Sequence, residues 1–250
     1  MNNRRKTEKR HSGRRPEKTI YVILMLLAAG AAIIAGWQFR VSSQENDVSD
    51  EQIDMKPVPA PGDPEDKPMN FNGMRAENPD IIGWITIKAL GIDYPIVQGS
   101  DNVYYLTHTA QRKTNRIGAL FLDFRSRGDF SDFNSVVYGH YLKSGRMFQP
   151  LRRMRDQETF DRVTEGTLYT PGKTYRLEFF ASVLASSTSE FYSYIFPSRE
   201  SRQAHLNSIC GQAVCYRDIG VTADDRLLLL STCSYEYEGA RTLVAARIAE

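Results

Sequence analysis

The feature that most limits what this chain can fold into is a stretch of eighteen residues, IYVILMLLAAGAAIIAGW at 20–37, with no charged side chain. A helix of that length is close to the ~20 apolar residues needed to cross a bilayer core. Tyr21 and Trp37 fall near the two expected interfaces, where amphipathic rings are favoured. Arg4, Arg5, Lys6, Lys9, Arg10, Arg14, Arg15 and Lys18 precede the run, opposed only by Glu8 and Glu17, and the acidic stretch QENDVSDEQ follows it. The positive-inside rule then predicts a cytoplasmic N-terminus and an extracellular C-terminus. Residues 1–19 read as a basic cytoplasmic tail, and 20–39 as a single-pass transmembrane signal-anchor helix in the cell membrane. A cleaved secretory signal is the alternative, since Ala28, Ala29, Ala31, Ala32 and Ala35 offer small residues for cleavage, although the run exceeds the ~7–15-residue core of such signals. Both readings carry the rest of the chain out of the cytoplasm. No nucleic-acid partner is expected, because no aromatic side chain is interleaved with the basic tail and the apolar run follows at once.

Residues 40–74 are polar and Pro-rich (MKPVPAPGDPEDKP), too poor in apolar side chains to offset the entropy of ordering, and predict a semi-extended extracellular stalk. Residues 75–250 then form one domain. From Asn78 onward short apolar runs alternate with turn residues: IIGWITI, IDYPIVQG, IGALFLDF, NSVVYG, GTLYT, YRLEFFASVLA, RLLLLST and TLVAARIA. Two segments predict helices, 147–155 and 198–210, the second opened by Ser198 as N-cap with an acidic first turn. About eight strands with few helices predict a mainly β fold, a closed or nearly closed barrel.

Exported chains usually pair their cysteines, and this one has three, so at least one has no partner within the chain. Cys210 and Cys215 lie close together, as a local disulfide or as buried small hydrophobes. Cys233 ends the apolar strand RLLLLST just before the polar loop SYEYEGA, a position that holds a thiol rigid and exposed. A thiol of pKa about 8.5 needs a nearby cation or base before it attacks a carbonyl quickly. Arg241 stands eight positions later, where a hairpin returns a guanidinium beside the thiol to stabilise a thiolate or oxyanion. Of the histidines beyond the apolar run, His140 in SVVYGH ends an apolar strand as Cys233 does. Gly139 is expected to let the backbone turn there, and the polar LKSGR follows, placing the imidazole at the barrel rim. His108 is the second choice of base, and His205, in a helix with charged neighbours, reads as solvated. No metal site is expected, because Cys210 and Cys215 have no matching second pair and the histidines are scattered. There is no G-x-S-x-G elbow for a serine nucleophile.

Taken in order, NPDIIGWI, YPIVQGSDNVYYL, GALFLDFRS, VVYGH and LSTCSYEYEGAR resemble class B sortases over residues 78–250. The resemblance implies an eight-stranded sortase-type β-barrel preceded by an N-terminal helix, with the helix at 198–210 as the extra one that class B inserts before the cysteine-bearing strand. It makes 75–250 a sortase catalytic domain: a membrane-anchored cysteine transpeptidase of Gram-positive bacteria. It also implies that Cys233 attacks the Thr carbonyl of a C-terminal sorting signal, NPxTN-like or (S/P)PxTG-like. His140 would transfer protons and Arg241 would support the tetrahedral intermediate. The implied partners are surface proteins bearing the signal and, as amine acceptor, a peptidoglycan peptide or its lipid-linked precursor. Matching positions imply that Asn102, Leu106 and Ser231 line the substrate groove, with Tyr194 and Ile195 in the loop that closes over the signal; loop insertions would shift that match toward Phe191 or Tyr192. Some class B enzymes carry an acid soon after the nucleophile; here Tyr235 stands at the second position and Glu236 is the nearest acid. Neither a cofactor nor calcium is implied. The rival readings are an anchored β-barrel binding module without catalysis, with Cys233 merely buried, and a hydrolytic cysteine peptidase in which water resolves the thioacyl.

Overall fold

The computed structural model describes residues 16–57 and 69–250; the start of the basic tail (1–15) and the Pro-rich centre of the expected stalk (58–68) lie outside the described residues. The chain divides into a unit ending at Ser43 and a second from Gln44 to Glu250. Helix α1 (Pro16–Ile53) carries the apolar run, and its large apolar side chains are exposed, Met25 by 73% and Trp37 by 65%. A long helix that is apolar all round and buries none of that surface is a candidate membrane anchor.

In the second unit, short helix α2 (Asn72–Glu77) leads into β1 (Ile81–Ile87), β2 (Ile92–Val97), β3 (Leu120–Leu122), β4 (Asn134–Gly139), β5 (Glu165–Thr170) and β6 (Lys173–Ser186). After these come β7 (Ala213–Tyr216), β8 (Arg226–Cys233) and β9 (Ala240–Ala249). Eight strands pair in the order β5-β1-β2-β3-β4-β8-β9-β6, and a β5–β6 ladder closes the circle into a barrel. The β2–β3 and β4–β8 pairs are parallel, the rest antiparallel. Closure leaves no open edge among these eight. Each of the eight expected strands is present. The ninth, β7, pairs with the far half of β6; it is not among the expected strands because so short a segment bears no alternation signal.

Period-two alternation explains why RLLLL is apolar throughout. Leu228 and Leu230 point into the barrel beside Val137, Leu120, Phe179 and Val244. Leu227 and Leu229 face outward against Phe180, Leu243 and the buried side of helix α4 (Arg199–Gly211), Leu206 and Ile209. Both faces of β8 are covered, so the strand alternates between two apolar surroundings. Ser198 caps α4 as expected, in a reciprocal box with Ser201. Residues Gln149–Arg155 form a 3₁₀ helix, and α3 (Gln157–Arg162) follows, capped by Asp156, whose side chain accepts from Thr159 N at 2.9 Å. Phe148, Leu151, Met154 and Phe160 from this segment pack with the barrel interior.

The semi-extended expectation for residues 40–53 does not hold: they continue α1, and its end packs on the domain. Ser49 and Gln52 are buried and Glu45 nearly so, a stripe at helical spacing. Gln52 donates from Nε2 to the Gly118 carbonyl at 3.3 Å and accepts from Ala110 N at 3.0 Å. Arg146 reaches Asp50 at 2.8 Å, and Lys56 binds Asp93 at 2.7 Å. The buried stripe is polar, so composition alone could not distinguish it from a solvated tether. Gln52→Ala leaves a buried N–H and carbonyl unpaired and is expected to cost about 1–3 kcal/mol. That is a fall in melting temperature of roughly 2–4 °C per kcal/mol for a domain of this size. Calorimetry of residues 44–250 with and without the change checks it, and an unchanged melting temperature would mean that the segment does not dock.

Candidate active site

Strand pairing builds the site. In the antiparallel β8–β9 ladder, Cys233 is the register partner of Arg241. Directly opposed residues lie on the same face with Cα atoms roughly 4.5–5.5 Å apart. In the parallel β4–β8 ladder, Tyr138 pairs with Ser231 and Gly139 with Thr232, so the next residue, His140, emerges beside Cys233. Ser231 and Cys233 continue the outward row of Leu227 and Leu229, which places the thiol outside the barrel, where the apolar cover of α4 gives way to a cleft.

That cleft, about 790 Å³, is lined by Cys233, His140 and Arg241 and also by Asn102, Leu106, Ser231, Tyr194 and Ile195. All eight residues singled out in the sequence meet there. Cys233 is a half-buried free thiol. Among the described residues the Arg241 guanidinium makes one hydrogen bond, from Nη1 to the Ala240 carbonyl at 2.9 Å, and meets no carboxylate. His140 lies 2.7 Å from the Leu106 carbonyl through Nε2; a carbonyl only accepts, so Nε2 carries the proton and Nδ1 is left free. Gly118, at φ +62°, lets this wall close: a Cβ there would overlap the carbonyls of Tyr105 and Leu106 and stand 3.1 Å from the His140 ring.

Gly139 has a different role from the one expected. It is the last residue of β4, and a Cβ on it would overlap Leu120 and sit 2.6 Å from the Phe148 ring inside the barrel. Close packing, not a turn, requires glycine there.

Sequence reasoning missed two further cleft residues, Arg125 and Tyr138, and reached Tyr192 only as a shifted match for the loop. Tyr192 shares a hydrogen bond with Ser231 at 3.0 Å, and Tyr138 donates to the buried Asp123 at 2.9 Å. Burial pushes both phenols above their ordinary pKa, and the charge of Asp123 adds to the effect on Tyr138. The available signals were two family-like segments, GALFLDFRS, which holds Arg125, and VVYGH, which holds Tyr138. Phe191 is buried beneath the loop, so Tyr192, Tyr194 and Ile195 supply its cleft-facing side chains.

The profile of the sortase domain family matches residues 85–249. The chain is 32% identical to the Listeria monocytogenes sortase B over 240 residues, 90% of this chain and 95% of that protein. Its fold superposes on the X-ray structure of Clostridium perfringens sortase B with a TM-score of 0.69 at 29% identity, covering 72% of this chain and all of that one. It also matches a Staphylococcus aureus sortase B–substrate complex, with a TM-score of 0.68 at 27% identity over 72% of this chain and 84% of that one. The chain belongs to the sortase family. Its relatives place it in class B, and it is a cysteine transpeptidase, an enzyme that takes a sorting-signal polypeptide and an amine acceptor.

Other groups near this sortase cleft are already engaged. Glu236 is bound by the Ser234 hydroxyl and by Arg155 and Arg152, the last at 3.0 Å; the Ser234 and Arg155 hydrogen bonds hold its pKa down to about 2. His108 stacks on Tyr104 at 3.9 Å, bonds to the Tyr104 carbonyl at 2.9 Å and does not line the cleft. Cys210 and Cys215 are both free, and burial raises both thiol pKa values.

His205 is not solvated. It is 7% exposed, edge-on to Phe133, Phe191 and Phe196, and its Nε2 has no partner among the described residues. The charged neighbours Arg199 and Glu200 are exposed, while Arg202, one turn before His205, lies over the Phe133 ring at 5.6 Å, so the buried face of His205 was hidden in the sequence. Burial pushes its pKa down from 6.5 to about 4, against the opposing charge of Glu190. Between those values the unfolded chain binds a proton that the folded chain refuses, so stability falls as pH drops from about 6.5 toward 4. The loss reaches about 2 kcal/mol by pH 5. Urea titrations at pH 7.5 and 5 of wild type and His205→Gln test this: the wild type should lose about 2 kcal/mol more than the variant, and equal losses would show that His205 does not titrate differently on folding.

Proposed function

We propose that Cys233 is the nucleophile of this transpeptidase, His140 its proton-transfer partner and Arg241 its electrostatic partner. The observation that carries the reading is the shared register of three strand ends: β8 delivers the thiol, β9 sets Arg241 opposite it, and β4 delivers His140 alongside, all into one cleft. A fixed cation beside a thiol favours the thiolate, and the proton leaving the Cys233 thiol passes to Nδ1 of His140. The thiolate attacks the Thr carbonyl of the sorting signal, and guanidinium N–H groups of Arg241 donate to the oxyanion. The C–N bond breaks as His140 gives a proton to the leaving amine, and a thioacyl remains on Cys233. An incoming amine then attacks, His140 takes its proton and the thiolate leaves. With Nε2–H held by the Leu106 carbonyl, Nδ1 is the nitrogen that shuttles the proton, and that carbonyl also supports the imidazolium.

The signal, NPxTN-like or (S/P)PxTG-like, lies along Asn102, Leu106, Ser231, Tyr194 and Ile195. Leu106 and Ile195 are 37% and 66% exposed and offer apolar contact to its proline. The acceptor is the amine of a peptidoglycan peptide or its lipid-linked precursor. The basic residues ahead of the apolar run support a cytoplasmic N-terminus, with the cleft on the extracellular side. The test incubates the protein with fluorogenic peptides of both motifs, with and without a glycine or diaminopimelate-type amine. Cleavage after Thr, a ligated product when amine is present, and a loss of at least about 10³-fold in Cys233→Ala are expected. Cleavage that survives Cys233→Ala would overturn the assignment, and hydrolysis unaffected by amine would leave a peptidase.

A further inference from the structure

One buried carboxylate holds together parts of the cleft that are distant in sequence. Asp123 is 2% exposed and does not itself line the cleft. Its Oδ1 accepts from Arg125 Nε at 2.8 Å and from the Arg125 backbone N–H at 3.0 Å. Its Oδ2 accepts from Arg125 Nη2 at 2.7 Å, from Tyr138 Oη at 2.9 Å and from Asn102 Nδ2 at 3.1 Å. Asn102 is held at its other end as well, where Oδ1 accepts from Phe124 N at 3.0 Å, so one Nδ2 proton is left for a ligand. Arg125 reaches across to the loop between β6 and α4: its guanidinium lies 4.2 Å from the centre of the Tyr194 ring and 3.5 Å from the Tyr192 carbonyl. Burial alone would raise the Asp123 pKa, but the hydrogen bonds from Arg125 and Tyr138 outweigh it and hold the group ionised.

We propose that Asp123 is a positioning residue for signal binding. By aiming Arg125 as a latch on the Tyr192–Tyr194 loop while orienting Asn102 on the facing wall, it sets the shape of the cleft before the peptide arrives. This rests on the proposed site, whose thiol, imidazole and guanidinium are held by the β4–β8–β9 ladders and not by Asp123. Loss of the hub therefore acts on binding. Walls that must be ordered by the ligand bind it more weakly, whereas a bound peptide still meets the same reacting groups.

The experiment measures kcat and KM of the full chain in detergent micelles for whichever fluorogenic NPxTN-like or (S/P)PxTG-like peptide the wild type cleaves, with Cys233→Ala as control. Asp123→Asn keeps the shape but removes the charge and offers a donor where three donors converge. KM is expected to rise about tenfold with kcat within about twofold of wild type. Arg125→Lys keeps the cation but loses the fork, and is expected to raise KM in the same sense by a smaller factor; it carries the test alone if Asp123→Asn does not fold. Unchanged KM in folded variants, or a fall in kcat with KM unaltered, overturns the proposal. Failure of the underlying site reads differently: cleavage would then be absent in wild type or would persist in Cys233→Ala.

Discussion

Everything at the cleft depends on the hydrogen-bond ladders that join β4, β8 and β9. Side chains alternate across a strand with a period of two, so slipping β9 by one residue would send Arg241 into the barrel and bring Leu243 no nearer the thiol. Slipping β4 would do the same to His140. The register is held because both faces are buried: Leu228, Leu230, Val137 and Val244 are locked inside, and Leu227, Leu229 and Leu243 lie outside under α4. The apolar pattern that folds the barrel thereby also sets the chemistry at its rim. Gly139 shows how tight the arrangement is, since even a methyl group on the residue before His140 would overlap Leu120 and Phe148.

The eight barrel strands were legible because each contains a short apolar run bounded by turn residues. The three strand-end residues were legible because Cys233 and His140 sit where an apolar run stops and Arg241 sits where the last one starts. What was hidden depends on contacts the local pattern does not encode. The end of α1 reads as a polar tether because its buried face carries Glu45, Ser49 and Gln52, and the partners of Glu45 and Gln52 lie more than fifty residues away. His205 has charged neighbours in sequence, but its own side of α4 faces three phenylalanines. Asp123 stands in an ordinary LDFR segment, and its importance appears only once Asn102, Tyr138 and the loop at Tyr192–Tyr194 are seen to converge on it.

The electrostatics divide the site's charged groups into two sorts. Glu236, Asp123 and Arg125 are engaged in ion pairs and serve as structure. Among the described residues Arg241 makes one neutral hydrogen bond, faces its register partner Cys233 and has donors to spare. An unpaired guanidinium beside a thiol is an arrangement that favours negative charge developing there. The two other cysteines lie in surroundings that favour the neutral thiol.

That contrast can be measured without knowing the substrate. Alkylation of the full-length protein by iodoacetamide at neutral pH, followed at each cysteine by peptide mapping, compares the three thiols within one chain. The account predicts that Cys233 is modified well ahead of Cys210 and Cys215, and that Arg241→Gln slows Cys233 while leaving the other two unchanged. Modification of Cys233 no faster than Cys210, or a rate indifferent to Arg241, would contradict it.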